Sequence, residues 1–279
     1  DRLIDVNLGF NAQVNDDISV EAYYTYSDIK STSIGKYYLS YGGVAENILY
    51  EVSDPDQYLA NLKHTTLNDD TINMQNIAAG MQWNMFEMAG GTASTYFGVE
   101  TFDINYRADV DAQSEAGLVG GSAGNSAQGS RSVNAVMAEA ILPVTDYLEV
   151  DLAVRYDNYD DFGSEVSPRV GARFTMIDNL VVKASYGQGF RAPDLSDLYG
   201  ATSFSAEDAT DYYGCSLDGI AEADCPNRQF DTYIGSNPDL EAETSETMSI
   251  GAEYTYDNNW VAKVNYVTLE LQNANEYVS

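Results

Sequence analysis

The sequence predicts an all-β protein whose long antiparallel strands form the wall of a transmembrane β-barrel. Apolar and polar residues alternate with a period of two along ten segments. These segments are about 9–12 residues long, as tilted membrane strands require, whereas strands of soluble proteins centre on about 5–6 residues. The connections between them alternate between short turns and long polar loops, which is the arrangement of outer-membrane barrels.

The first segment shows the alternation most clearly, with Ile4, Val6 and Leu8 on one face and Asp5 and Asn7 on the other. The remaining segments repeat this pattern, less regularly in 133–142, and their polar faces carry Asn, Gly, Ser, Thr and scattered charges, as a water-filled lumen would. The apolar faces are therefore expected to contact lipid. The ten predicted strands are 4–14, 18–27, 76–84, 93–102, 133–142, 148–157, 166–174, 180–189, 244–256 and 260–271.

The connections predict the two ends of the barrel. Tight turns are expected at one end and long loops at the other. Within the first long loop, Asp54-Pro55 followed by Tyr58 and Leu59 predicts a short capped helix. The turns are 15–17, 87–91, 143–146, 176–179 and 257–259; the long loops are 29–74, 103–131 and 190–243, with a shorter one at 158–165.

The composition argues against several function classes. Thirteen Lys and Arg residues stand against 44 Asp and Glu, giving a formal charge of −31, and such a polyanion repels nucleic acid. The single histidine, His64, leaves little scope for a zinc site or a histidine-based proton relay, and we expect it to be a solvated polar residue. The 22 tyrosines suit surfaces that are half apolar and half wet, including membrane interfaces.

Three short patterns imitate enzyme or metal sites. Residues 120–124 match G-x-S-x-G, but no helical pattern follows and the only histidine is far away in sequence. Residues 187–192 imitate a dinucleotide fingerprint, but Pro193 follows directly and no amphipathic helix begins there. Residues 157–161 could offer oxygen ligands to calcium, although turn chemistry explains the same residues. We therefore expect no enzyme activity, no cofactor and no metal.

Two cysteines lie ten residues apart in the longest loop. Cys215 and Cys225 have Gly214 and Pro226 beside them. Two thiols so close in a wet loop favour a disulfide and an oxidising compartment, the alternative being two reduced surface thiols.

Several segments resemble the barrel of TonB-dependent outer-membrane receptors. Residues 152–159, 162–164 and 167–171 are similar to strands of that family, as is Phe97-Gly98-Val99-Glu100. Residues 184–195 contain its "GFRAP" signature, and residues 237–245 resemble its "NPxLxPE" segment, with Ala242 in place of the usual proline. The signature residues are Gly189, Phe190, Arg191, Ala192, Pro193, Asn237, Pro238, Leu240 and Glu243.

The resemblance implies a 22-stranded barrel whose lumen is filled by an N-terminal plug domain. Residues 1–279 are then expected to be a partial barrel domain that lacks the plug and the C-terminal strands. It also implies a receptor in the outer membrane of a Gram-negative bacterium, which captures a scarce nutrient through its loops and imports it with energy from the TonB system. The expected partners are outer-membrane lipid, the TonB system acting through the plug, and an iron chelate, cobalamin or a glycan.

The longest loop supplies the candidate ligand contacts. It holds twelve acidic and two basic residues, a difference of −10, which disfavours a strongly anionic ferric catecholate and favours a neutral or cationic ligand or a glycan. General acidity suited to a saline habitat explains the charge equally well. The candidate contacts are Tyr199, Phe204, Tyr212, Tyr213, Arg228 and Tyr233.

Two other functions stay open from the sequence. A passive porin-like channel would share the wall but would lack a plug. A surface β-rich module for adhesion or glycan binding would be soluble without detergent.

Overall fold

The computed structural model describes residues 1–120, 124–257 and 260–274, and most of them lie in one antiparallel sheet. Ten strands pair in the order β1-β2-β3-β4-β6-β7-β8-β9-β12-β13. The strands are β1 Arg2–Gln13, β2 Ile18–Ser40, β3 Lys63–Met88, β4 Gly91–Val110, β5 Val119–Gly120, β6 Ala127–Thr145, β7 Leu148–Tyr159, β8 Gly163–Ile177, β9 Leu180–Arg191, β10 Ser203–Thr210, β11 Asn227–Ile234, β12 Glu243–Tyr256 and β13 Trp260–Gln272.

All ten predicted strands are confirmed, and each pairs with its neighbour in sequence along the main sheet. Two elements of strand structure were not predicted. The dipeptide β5 pairs with the end of β2, and β10 pairs with β11 in a separate two-stranded sheet. Within the described residues β1 and β13 lie at the two edges of the sheet and do not pair with each other, so the barrel is not closed.

The pairing register gives the sheet one apolar and one polar face. Residues directly opposite each other on neighbouring strands point to the same face. One row of paired positions crosses seven strands with apolar side chains, while the adjacent row carries polar and small ones. The apolar row is Phe10, Ala22, Ala79, Val99, Val136, Tyr156 and Val166; the polar row is Gly9, Tyr23, Ala78, Glu100, Ala135, Asp157 and Glu165.

Within the described residues, no protein layer covers the apolar face. Val99, Val136 and Val166 are each 53–55% exposed although they lie within paired strands. In a water-soluble sheet such a face would form the core or an interface, because monomeric soluble proteins rarely expose large contiguous apolar patches. The exposure is what a wall facing lipid requires.

Short turns close one end of the sheet, as predicted. The Asn15 side chain accepts hydrogen bonds from the backbone N–H groups of Asp17 and Ile18 at 2.9 and 2.8 Å, which fixes the β1–β2 turn. Gly91 begins β4 with φ +134°, a backbone conformation that side chains disfavour. The strands run one to three residues further into several turns than the alternation indicated.

The long loops predicted at the opposite end are wrong in extent. β2, β3, β4 and β6 have 23, 26, 20 and 19 residues, so much of 29–74 and 103–131 is strand. Loop 158–165 shrinks to 160–162. The extensions escaped prediction because both of their faces carry polar residues, which removes the period-two pattern.

Helices occupy what is left of these loops. The predicted helix after Asp54 is confirmed as α2 Pro55–Asn61, with the Asp54 side chain capping the N–H of Asp56 at 3.1 Å. Before it lies α1 Tyr41–Leu49, which was not predicted and is capped by Ser40. The other helices are α3 Ala112–Glu115, α4 Leu195–Tyr199 and α5 Tyr212–Leu217, with a 3₁₀ turn at Glu222–Asp224. No helix of the described chain combines the length and apolarity needed to cross a bilayer.

The two faces of β6 provide a test of the wall's environment. Val136 and Glu139 are both exposed, on the apolar and the polar face respectively. In the full-length receptor folded in vesicles, Val136→Arg is expected to lower the free energy of unfolding by about 2–4 kcal/mol, because it places a charge in hydrocarbon. Glu139→Arg is the matched control and should change it by less than about 0.5 kcal/mol. Denaturant unfolding measures both, and equal effects would contradict the assignment of the faces.

Candidate functional site

A network of charged side chains lies on the polar face of the sheet. Arg155 on β7 donates to Glu100 on β4 at 2.8 Å and pairs with Asp157 at 2.8 Å. Asn76 on β3 donates to the other oxygen of Glu100 at 2.7 Å. These charge-assisted bonds join three strands and hold carboxylates and a guanidinium in fixed positions facing the lumen side.

Tyrosine extends this network across the sheet. The Tyr96 hydroxyl on β4 donates to Glu21 on β2 at 3.0 Å. On β3 the residue opposite Tyr96 is Gln82, and at Gly80, two residues further along, an added Cβ would collide with the Tyr96 ring. Glycine at position 80 therefore lets the ring lie flat along the wall and reach Glu21.

Asp111 organises the loop end of β3 and β4. Its carboxylate accepts the Ser114 hydroxyl at 2.7 Å and the backbone N–H groups of Ser114 and Leu67 at 3.1 and 3.2 Å. His64 Nε2 lies 2.8 Å from Asp111 Oδ1. Burial opposes ionisation, but hydrogen bonds from Ser114, Leu67 and His64 outweigh it and hold the pKa of Asp111 well below its usual range.

His64 therefore differs from its prediction. Its side chain is 17% exposed and contacts Asp111, so it is an anchor between two strand ends and not a solvated residue. Its partner, Asp111, lies 47 residues away in sequence, and no local pattern connects the two.

Arg131 forms a second junction at the same end. Its Nε donates to Asp161 at 2.7 Å, and its Nη2 donates to the carbonyl of Pro193 at 2.7 Å. The guanidinium carbon lies 5.5 and 5.4 Å from the ring centroids of Tyr159 and Phe162. Both partners of the ion pair are almost fully buried, with side chains 9% and 4% exposed.

The carboxylates of 157–161, which the sequence offered to calcium, are used by protein groups. Asp157 pairs with Arg155 and Asp161 with Arg131, while Asp160 accepts the backbone N–H of Ser132 at 2.9 Å. In the described ranges no cluster of three or more His, Cys, Asp or Glu side chains could hold a metal ion. The G-x-S-x-G match lies largely outside the described residues, since 121–123 are not among them.

The two signature segments meet beside this junction. Arg191, at the end of β9, lies 3.3 Å from Glu243, the first residue of β12. The Asn237 side chain caps the N–H of Asp239 at 3.0 Å, and its backbone N–H donates to the Asp197 carbonyl at 2.8 Å. The remaining signature residues follow the strand ends: Gly189 and Phe190 pair with Ser245 and Thr244, Ala192 and buried Pro193 precede α4, and Pro238 and Leu240 lie in the turn before β12.

Residues 201–236, which we call the arm, extend from these segments. The arm holds the β10–β11 hairpin, α5 and the 3₁₀ turn. The Cys215–Cys225 disulfide is confirmed and joins α5 to the 3₁₀ turn, with Cα atoms 5.9 Å apart. The arm was predicted to be loop because neither hairpin strand has an apolar face.

The structure places five of the six candidate ligand contacts in the arm and the sixth, Tyr199, in α4. Tyr212 and Tyr213 are 56% and 77% exposed on α5, and Tyr233 is 71% exposed on β11. Arg228 is exposed opposite Ala209 in the hairpin, and the side chain of Phe204 lies outside the described part. All five belong to the arm.

Tyr199 is different, because it ends α4 and is half-buried against the wall. An added Cβ at Gly129 would lie 2.7 Å from the Tyr199 ring. Burial raises the pKa of the Tyr199 hydroxyl. This position favours a packing role for Tyr199, while the other candidates remain predictions.

Comparison with known proteins decides the family. The family described as "TonB dependent receptor-like, beta-barrel" matches residues 2–274. The chain belongs to this family.

Curated relatives of this TonB-dependent receptor barrel come from Pseudomonas aeruginosa. The chain is 29% identical over 162 residues to the ferric enterobactin receptor PirA, a match covering 54% of the chain and 19% of PirA. It is 25% identical over 161 residues to a second ferric enterobactin receptor, covering 57% of the chain and 20% of that protein. The matches thus span about a fifth of the length of these relatives.

Solved structures show the same fold at low identity. A mutant of the ferric enterobactin receptor PfeA from Pseudomonas aeruginosa superposes with a TM-score of 0.68 at 17% identity, covering 97% of the chain and 34% of PfeA. The RagAB peptide transporter superposes with a TM-score of 0.60 at 15% identity, covering 96% of the chain and 30% of that protein. The TonB-dependent receptors are transport receptors and not enzymes, as the sequence predicted.

Asp111 yields a prediction about the receptor's loop end. Asp111→Asn is expected to speed hydrogen exchange at the amides of Leu67 and Ser114, by a local loss of about 1.5–3 kcal/mol for bonds to a charged acceptor. Because the folded pKa is lowered, the stabilisation is complete above the ordinary pKa of about 3.9 and disappears as pH falls towards the lowered value. Asp109→Asn is the control, since Asp109 is half-exposed and pairs only with Arg107 among the described contacts. Equal exchange in both variants would contradict the role of Asp111.

The disulfide yields a second prediction. Changing both cysteines to serine should destabilise the arm locally, because the bridge no longer restricts the unfolded chain. The expected loss is about 2–3 kcal/mol, since the loop that the bridge closes is short. The unfolding of the barrel should not change, since the bridge lies wholly within the arm. Hydrogen exchange in β10 and β11 measures the first effect and denaturant unfolding the second. Labelling of both cysteines by an alkylating agent without reductant would contradict the bridge itself.

Proposed function

We propose that this chain forms part of the wall and the capture loops of an outer-membrane receptor that imports an iron–siderophore complex with energy from the TonB system. The observation that carries the proposal is the family match over residues 2–274, together with two curated relatives named ferric enterobactin receptors. The chain supplies ten strands of a larger barrel, consistent with its coverage of about a third of the solved PfeA chain.

The wall supports transport through its two faces. The uncovered apolar face fits outer-membrane lipid, and the Glu100–Arg155–Asp157 network fits a wet lumen. A domain that fills such a lumen, and through which the TonB system acts, would lie against this polar face. The location follows as the outer membrane of a Gram-negative bacterium.

The arm supports capture of a ligand. It presents exposed tyrosines on a short disulfide-bridged scaffold at the end of the wall that carries the long connections. Rigid aromatic side chains give large contact area at low entropic cost, which suits planar aromatic or glycan groups. Tyr212, Tyr213 and Tyr233 are the contacts we assign to the ligand.

The charge of residues 190–243 bears on which chelate is taken. The relatives are named for ferric enterobactin, whose iron centre is an anionic tris-catecholate, whereas this segment has ten more acids than bases. Repulsion would weaken capture of such an anion and would be relieved by salt. We therefore favour an iron chelate of low charge; cobalamin or a glycan is the next ligand class.

A passive channel and an adhesion module are the competing functions. Both would keep the wall, and neither would need energy from the inner membrane. Uptake that stops when the proton-motive force is removed separates the proposed function from both.

Binding measurements on the full-length receptor test the proposal. A neutral ferric trihydroxamate is expected to bind with an affinity that does not depend on salt, while a ferric tris-catecholate should bind more tightly as ionic strength rises. Tyr212→Ala with Tyr213→Ala should weaken binding about tenfold, equivalent to about 1.4 kcal/mol. Tyr256→Ala is the matched control, because Tyr256 is 62% exposed at the opposite end of β12.

Two results would count against the proposal. Salt-insensitive binding of the tris-catecholate would refute the electrostatic argument alone. Failure to bind either iron chelate, with binding of cobalamin or a glycan, would refute the siderophore assignment.

A further inference from the structure

Arg131 is the one Lys or Arg side chain among the buried residues of the described chain. A buried guanidinium is costly unless its charge is paired and its N–H groups are bonded. The pairing of β6 does not need a buried cation at this place, since Arg131 already pairs with Ile104 on β4, and the pairing of β6 with β7 begins two residues later at Val133. The contacts of Arg131 therefore point to another role.

These contacts join three separate segments of the chain. Arg131 belongs to β6, Asp161 to the connection between β7 and β8, and Pro193 to the segment between β9 and α4. Asp161 Oδ1 is buried and, within the described residues, without a hydrogen-bond partner. Arg131 is thus the group that compensates this carboxylate, and its second nitrogen fixes the Pro193 carbonyl.

The segment that Arg131 holds is the base of the arm. Pro193 leads into α4, whose Leu195 and Leu198 are buried. The backbone N–H of Asn237, the residue that follows the arm, donates to the carbonyl of Asp197 in α4 at 2.8 Å. Both ends of the arm therefore connect to a helix that is seated beside Arg131.

A second contact seats α4 independently of Arg131. Tyr199, at the end of α4, packs over Gly129 on β6, where an added Cβ would meet the ring at 2.7–3.2 Å. Gly129 and Arg131 are two residues apart and lie on the same face of β6. The same short stretch of β6 therefore provides the hydrogen bond to Pro193 and the surface on which Tyr199 packs.

We propose that Arg131 is a positioning residue for ligand capture: by pinning Pro193, it fixes α4 on β6 and thereby sets the position of the arm. The part of this inference that concerns ligand rests on the proposed function. The part that concerns the arm does not depend on it. No ligand contact by Arg131 itself is implied.

Trypsin offers a direct readout of the arm in the full-length receptor. Arg228 is the single trypsin site within residues 201–236, and it lies in the β10–β11 hairpin. Arg131→Met keeps the apolar stem and removes the hydrogen bonds, so cleavage after Arg228 should become at least fivefold faster. Arg131→Lys keeps the charge but can reach fewer acceptors, so it should give an intermediate rate.

Two further variants complete the design. Gly129→Val should also accelerate cleavage after Arg228, because it displaces Tyr199 while leaving Arg131 intact. Arg107→Met is the matched control: Arg107 also pairs with an aspartate at 2.7 Å, but it is 63% exposed. Cleavage in this control should match the wild type. The thermal unfolding of the barrel is measured separately, and cleavage rates are compared between variants whose barrel unfolds at the same temperature as the wild type.

Binding then separates the two proposals. Arg131→Met should weaken binding of the iron chelate at least fivefold without changing which chelate is preferred.

If cleavage after Arg228 proceeds at the wild-type rate in both Arg131→Met and Gly129→Val, the inference is wrong. If cleavage accelerates but the wild-type receptor binds no iron chelate, the positioning of the arm by Arg131 is supported and the siderophore assignment fails. If cleavage accelerates and chelate binding is unchanged, Arg131 positions the arm but the arm does not capture the ligand, which overturns the positioning role.

Discussion

Hydrogen bonding between neighbouring strands is the constraint on which the rest of the structure depends. A wall that crosses hydrocarbon must satisfy every backbone N–H and C=O group within itself, which an antiparallel sheet achieves strand by strand. The ten strands pair in sequence order from β1 to β13, and their registers shift at one place in each of four strand pairs. Once the register is set, each side chain is assigned to lipid or to lumen, because a shift of one residue would exchange the faces.

Polar junctions occur where the strands extend past the part that has an apolar face. In these extensions of β2, β3, β4 and β6 both faces carry polar residues, so polar junctions can replace apolar surface. Asp111 and Arg131 are such junctions, and each joins segments far apart in sequence. The arm extends from the second of them. Strand pairing thus makes the wall, and charged side chains such as Asp111 and Arg131 connect the loops to it.

The strands that could be predicted from the sequence are those with one apolar face and one polar face. Residues 4–14 alternate because one face is apolar, and all ten strands were found in this way. Residues 29–40 and 203–210 are strands with no apolar face, so they lack the alternation of apolar and polar residues that predicts a strand. The Arg131 junction could not be read either, because Asp161 and Pro193 lie 30 and 62 residues away from it. The cysteine pair was predictable because its partners are close in sequence and few in number.

Site-directed spin labelling along β6 tests the central claim, that one face of this sheet contacts lipid and the other water. Both cysteines of residues 1–279 are in the disulfide, so, once any cysteine elsewhere in the full-length receptor is replaced by serine, cysteines introduced singly at positions 134–141 can be labelled specifically in vesicles. Even-numbered positions share the face of Val136 and should be accessible to dissolved oxygen; odd-numbered positions share the face of Glu139 and should be accessible to a water-soluble relaxation agent. Accessibility that alternates with a period of two along all eight positions is the predicted result. Uniform accessibility to the water-soluble agent on both faces would contradict a membrane wall.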